Sequence, residues 1–195
     1  MIKFIKNRDL IWDVEKYDVI LVGCSIYNLL TQGFQAKLCV KYPGLKAVDG
    51  KTPYADKRKY GTRVSYDVNG QTISLMYICG YPYKNKEYIN YDGFINCLAT
   101  ANQEYKGKGL KVACTIIGSA FCDGNGDKEK CLQLIEKHCK DLDITIYDYE
   151  QLPKREEISR ILHRFNFLKR RRKYDLYWKL RNNKTAILEA IYLKR

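Results

Sequence analysis

Over its first 150 positions the chain alternates short continuous apolar runs with stretches whose apolar residues recur at helical spacing. Asp18 to Gly23 (DVILVG) and Lys111 to Ile117 are continuous runs followed by glycine or small residues, the form of strands buried on both faces. Ile2 to Ile5 and Asp143 to Tyr149 predict two further strands. Thr62 to Asp67 and Gln71 to Ile78 flank Asn69-Gly70, a pair that marks a tight hairpin, so these two strands are expected to run antiparallel. Gly33 to Tyr42 permits a helix that Pro43-Gly44 should end. Asp92 is placed to cap a helix carrying Phe94, Cys97, Leu98, Ala101 and Tyr105 on one face, with Gly107-Lys108-Gly109 stopping it. A last helix opens near Asp127 with Cys131, Leu134, Ile135 and His138 as core positions. Strand and helix in alternation predict an α/β fold with a largely parallel or mixed sheet.

After Gln151-Leu152-Pro153 the pattern turns helical throughout. Ile158, Ile161, Leu162, Phe165 and Leu168 form one amphipathic stripe, and a second helix is expected over about 174–193. The division expected is therefore a body of residues 1–150 and a helical extension of residues 151–195.

Composition changes this picture mainly through charge. The formal net charge is +13, which suggests nucleic acid until it is located. Residues 151–195 hold fourteen Lys and Arg against four Asp and Glu, so ten of the thirteen charges belong to the extension and three to the body. Lys169, Arg170, Arg171, Arg172 and Lys173 stand beside Phe165, Phe167, Tyr174, Tyr177 and Trp178, a mixture that suits nucleic acid, a protein assembly or simple docking against the body. Partners are thus expected through residues 154–195. No apolar run approaches the ~20 residues of a membrane span, and the first ten residues are too charged for a secretory signal. A cytoplasmic, intracellular setting is the corresponding expectation. The eight cysteines contain no C-x-x-C pair, and Cys131, His138 and Cys139 lack zinc-finger spacing, so buried reduced thiols are expected, with no metal and no cofactor.

In an open α/β sheet, ligands bind beyond the carboxyl ends of the strands. Two loops fall there: Cys24 to Phe34 after the DVILVG strand, and Gly118 to Gly126 after the second buried strand. Both lead into helices whose first amides could hold phosphate. Neither is a Walker A loop nor a G-x-G-x-x-G turn, which disfavours P-loop and Rossmann chemistry. Within the second loop, Asp123 is either a helix cap or a carboxylate able to activate water, whereas Asp127 reads as the cap.

This order of features resembles the macrodomain family, in the branch of terminal ADP-ribose protein glycohydrolase and ADP-ribose 1″-phosphate phosphatase. Ile2 to Leu10 resembles its opening strand and Gly-Asp-Leu turn, which implies that Asp9, beside Leu10, receives an adenine amino group. Thr31-Gln32-Gly33-Phe34, leading to Tyr42-Pro43, resembles its glycine loop at the distal ribose and diphosphate. Gly118-Ser119-Ala120-Phe121 through Gly124-Asn125-Gly126 resembles its second phosphate loop, with Asp123 near a catalytic Asp of some members. Tyr147 resembles a closing-strand aromatic that lies against the adenine. The resemblance implies a three-layer sandwich around a mixed sheet and a function of binding ADP-ribose or a derivative, or of hydrolysing it as a phosphatase or by de-ADP-ribosylation. The alternative is a non-catalytic module held by its basic extension. Two departures bear on chemistry: the family's Asn after the second strand is replaced around Val22-Gly23-Cys24-Ser25, with Asn28 too far along to serve, and no lysine stands at Ser65 to Asp67, where the glycohydrolase lysine would fall. A covalent lysyl mechanism is disfavoured accordingly.

Overall fold

The computed structural model describes residues 1–81, 86–120 and 123–149. The expectations for Phe121, for Lys169 to Lys173 and for the helices after residue 150 lie outside the described residues.

Six strands form one mixed sheet in the order β1-β6-β5-β2-β4-β3: β1 Ile2–Lys6, β2 Val19–Ser25, β3 Arg63–Val68, β4 Gln71–Cys79, β5 Lys111–Thr115 and β6 Asp143–Asp148. β1, β6, β5, β2 and β4 are mutually parallel and only β3 is antiparallel, to β4. The hairpin forms because Asn69 (φ +51) and Gly70 (φ +78) take the left-handed conformation a two-residue primed turn requires. Every residue of β2 is buried, since helical layers cover both faces of the sheet.

Four helices make those layers: α1 Gly33–Lys41, α2 Gly44–Gly50, α3 Tyr91–Tyr105 and α4 Lys128–His138. The period-two alternation of the strands divides the core. Val19, Leu21, Met76, Ile78, Val112, Cys114, Ile144 and Ile146 pack with Phe94, Leu98, Cys131 and Ile135 of α3 and α4. Ile20, Val22, Ile73, Leu75, Tyr77 and Tyr147 pack with Leu38 and Leu45 of α1 and α2 and with Leu10. Full burial of each such aliphatic side chain contributes about 1.5–3 kcal/mol before conformational entropy is charged against it. The seven described cysteines are buried in the same way, and burial pushes the thiols of Cys97, Cys131 and Cys139 up to about 12.

Several local expectations need correction. Pro43-Gly44 does end α1, which stops at Lys41 with Tyr42 as its C-cap, but a second helix follows at once, with Pro43, at φ −58°, in the N-cap position of α2. The cap of α3 is Asn90, whose Oδ1 accepts from Gly93 N at 2.7 Å, while Asp92 lies in the first turn. β5 ends at Thr115, two residues short of the predicted run. His138 is only half-buried at the end of α4. Asp127 does cap α4, accepting from Lys130 N at 2.7 Å. Among the described residues no helix is long and apolar enough to cross a membrane.

Candidate functional site

The five parallel strands end on one edge of the sheet. β1 leads there into Asp9, β2 into residues 26–32 and α1, β4 into Gly80 and Tyr81, β5 into the loop 116–126, and β6 into Tyr149. A shallow hollow lined by Lys3, Tyr17, Lys111 and Asp143 lies at the opposite edge, where β5 and β6 begin.

At the α1 side, Thr31, Gln32 and Gly33 are exposed. Gly33 takes φ +55°, which turns the chain from the extended Gln32 (φ −134°) into the helix, and Gln32 makes no side-chain cap. Gln35, fully inside, donates from Nε2 to Gly23 O and fixes α1 to the end of β2, while Phe34 packs partly into the adjoining core. Asp9 is buried at the same edge, with Oδ1 accepting from Ile11 N at 3.1 Å and Oδ2 ion-paired to Lys37 of α1. The Lys37 ammonium also lies 5.4 Å from the Tyr149 ring centroid. Lys37 follows Gly33 by about one helical turn, so the Asp9 carboxylate and the helix start are neighbours.

Two residues expected to touch a ligand are placed in the core instead. Leu10 is fully buried. Tyr147 is 1% exposed, its ring edge-on to Tyr17 and its hydroxyl bonded to the Tyr17 hydroxyl at 2.9 Å and to Asp13 Oδ2 at 3.1 Å. Asp13, also buried, is paired with the Arg8 guanidinium, which holds its carboxyl down at about 2. The aromatic at the carboxyl edge beside Asp9 and Lys37 is Tyr149, two residues further along the same face.

The second loop is also arranged differently from expectation. Its glycines answer a packing demand: a Cβ at Gly118, Gly124 or Gly126 would meet Ile89, the residue that bridges to Cys79 after β4. Gly118 and Gly124 further hold φ +87° and +144°. The loop amides are largely used within the protein. Ser119 N donates to Ile116 O at 3.3 Å, Asp123 N and Asn125 N to Ala120 O at 3.1 and 2.9 Å, and Gly126 N to Gly118 O at 2.8 Å. Ala120 N donates to Asp123 Oδ1 at 2.8 Å, and Asn125 Nδ2 to Lys86 O at 3.0 Å. Asp123 itself is 4% exposed, its Cβ packed 3.1 Å from where a side chain on Gly23 would begin, and burial pushes its carboxyl up to about 7 against the pull of the loop amides. It does not cap α4. Its geometry is that of a pin closing the loop on itself.

Sequence reading missed the residues that hold the β2 end. Lys59 is buried, donating to Ile26 O at 3.2 Å and Asn28 Oδ1 at 2.5 Å, with its ammonium 4.0 Å from the Tyr77 ring centroid. Asn28, at φ +54°, donates to Asp49 O and Thr52 O, and buried Asp49 accepts from the Tyr77 hydroxyl at 2.7 Å. Nothing local marks Lys59, which sits in the run Lys57-Arg58-Lys59-Tyr60; only the packing of the loops around it shows that one of the three cations turns inward.

No family model matches this chain, and no curated protein matches it by sequence. Solved structures do. A protein of unknown function from Bacteroides thetaiotaomicron is similar with a TM-score of 0.61 and 20% identity over 76% of this chain and 98% of that one. The macrodomain of Mycobacterium tuberculosis DarG is similar at a TM-score of 0.58 and 16% identity, over 77% of this chain and 99% of its own. Thermosipho africanus DarTG in complex with ADP-ribose gives 0.58 and 17%, over 77% of this chain and 43% of that one. At these identities the likeness speaks for architecture alone, and the architecture is the α/β fold of the macrodomains, a mixed six-stranded sheet between two helical layers.

Proposed function

We propose that the body binds ADP-ribose or a close derivative at the carboxyl edge of the sheet, between Asp9 and the start of α1. The observation that carries this reading is the Asp9–Lys37 contact, which sets a buried carboxylate within about one turn of a helix start whose N-cap residue, Gln32, makes no side-chain cap. A carboxylate suits the amino group of a purine, and the amides at a helix start suit a phosphate. The macrodomain architecture supports the reading, since one similar structure is a complex with ADP-ribose. Thr31, Gln32, Gly33 and Phe34 would lie at the diphosphate and distal ribose, with Ser119 and Ala120 on the facing loop. Calorimetric titration with ADP-ribose tests it: the expected result is saturable binding by the wild type, weakened about tenfold in Asp9→Ala. Equal affinity in the two proteins sinks the assignment of Asp9, and absence of binding sinks the function.

Hydrolysis is the second reading, favoured by a carboxyl near 7 in the second loop, a value suited to proton transfer near neutrality. Burial of Asp123 makes its first role that of a positioning residue for Ser119 and Ala120. Turnover of ADP-ribose 1″-phosphate and of ADP-ribosylated protein by the wild type and Asp123→Asn decides; no wild-type turnover leaves a binder. A non-catalytic module attached by residues 154–195 to nucleic acid or a larger assembly is the remaining alternative, and it predicts no ADP-ribose affinity.

A further inference from the structure

Three tyrosines stand together beyond the ends of β2 and β4. Tyr27 follows Ser25 by two residues, Tyr81 follows Cys79 by two, and Tyr54 lies between α2 and β3. The Tyr27 ring meets Tyr54 at 5.6 Å and 89° and Tyr81 at 5.4 Å and 82°, both edge to face. Tyr42, Tyr77, Tyr105 and Tyr147 are buried, but Tyr54 is 68% and Tyr81 49% exposed.

The backbone presenting them is tied down. Ala55 N donates to Ile26 O and Ile26 N to Cys79 O, each at 2.9 Å, and Ser25 Oγ donates to Gly80 O at 2.7 Å. Behind them stand buried Lys59, Asp49 and Tyr77, linked through half-buried Asn28. Ala55 is held at φ +55°, a conformation unfavourable for alanine that persists only where its surroundings enforce it. A surface ordered in advance loses little freedom when a ligand arrives. The segment carrying Tyr54 is basic as well. Between residues 51 and 60 stand Lys51, Lys57, Arg58 and Lys59 against the single carboxylate Asp56, and Lys51, Lys57 and Arg58 are exposed.

We propose that Tyr27, Tyr54 and Tyr81 form a stacking platform for unpaired bases of single-stranded nucleic acid, with Lys51 and Lys57 supplying charge for its phosphates while Arg58 is held by Asp56. Ring faces on a rigid, cation-rich surface take any base, whereas a duplex hides its bases and would meet only the cations. The proposal is independent of ADP-ribose binding and of the basic extension.

Fluorescence anisotropy of the full chain with labelled oligothymidylate, and with the same strand as a duplex, tests it. Tyr54→Ala and Tyr81→Ala should each weaken single-strand binding by about tenfold, Tyr54→Phe should stay within about twofold, and duplex binding should barely move. Because every variant retains the extension, its contribution cancels. ADP-ribose titration of Tyr54→Ala should match the wild type, which separates failure here from failure of the proposed function. No wild-type binding to the single strand, or equal affinity in the wild type and both alanine variants, overturns the platform; the latter is also the outcome if the tyrosines serve a protein partner.

Discussion

A Cβ on Gly124 would lie 2.7 Å from the Cβ of Ile89, so the glycine loop and the segment after β4 are packed backbone against side chain. Gly118 meets the same residue through the end of its side chain, Cδ1. The difference gives a prediction. Both Gly118→Ala and Gly124→Ala should destabilise by ~2 kcal/mol or more through crowding and an unfavourable φ. Adding Ile89→Ala should recover part of the loss for Gly118→Ala and none of it for Gly124→Ala. Thermal denaturation of the four variants decides, and equal recovery at both sites would falsify the packing assignment.

Asp123 should make stability depend on pH. Its folded carboxyl titrates at about 7 against an ordinary 3.8, so the folded protein binds the proton more tightly than the unfolded chain. The resulting stabilisation is fully present below pH 3.8 and is lost as pH rises through about 7. Urea denaturation at a series of pH values should show that decline in the wild type and not in Asp123→Asn.

Asp13 should act in the opposite sense. Arg8 holds its folded carboxyl at about 2, so its contribution is present above 3.8 and disappears as pH falls through about 2. Asp13→Asn should cost about 1–3 kcal/mol at neutral pH, since the Tyr147 hydroxyl keeps a partner but the Arg8 charge does not. An acid-unfolding profile unchanged by the substitution would remove Asp13 from the account.

Lys37 occupies the carboxylate assigned to the purine. The lysine side of this pair is 37% exposed although Asp9 is buried, so solvent screening holds its worth to about 1 kcal/mol. Lys37→Ala should therefore strengthen ADP-ribose binding by up to about fivefold, the reverse of Asp9→Ala. Weaker binding in Lys37→Ala would mean that the ammonium is itself a ligand contact.

Local pattern determined the elements of this protein. Continuous apolar runs, the Asn69-Gly70 turn and the Asp127 cap each depend on a few neighbouring residues, and each appears close to where the sequence puts it. The start of α1 was legible for the same reason, because Gly33 is needed where the chain turns left-handed. Tertiary structure alone decided what those elements do to one another. Leu10 and Tyr147 look like site residues but face inward, because which side of β6, and of the turn after β1, is covered depends on the layer packed upon it. The glycines of the second loop read as room for phosphate, yet Ile89 occupies that room from 29 positions before Gly118 at the nearest. Lys37 on Asp9, Lys59 under the β2 loop and the three tyrosines at the edge are contacts between distant segments. Burial and charge pairing are properties of the folded surroundings, and no window along the chain contains them.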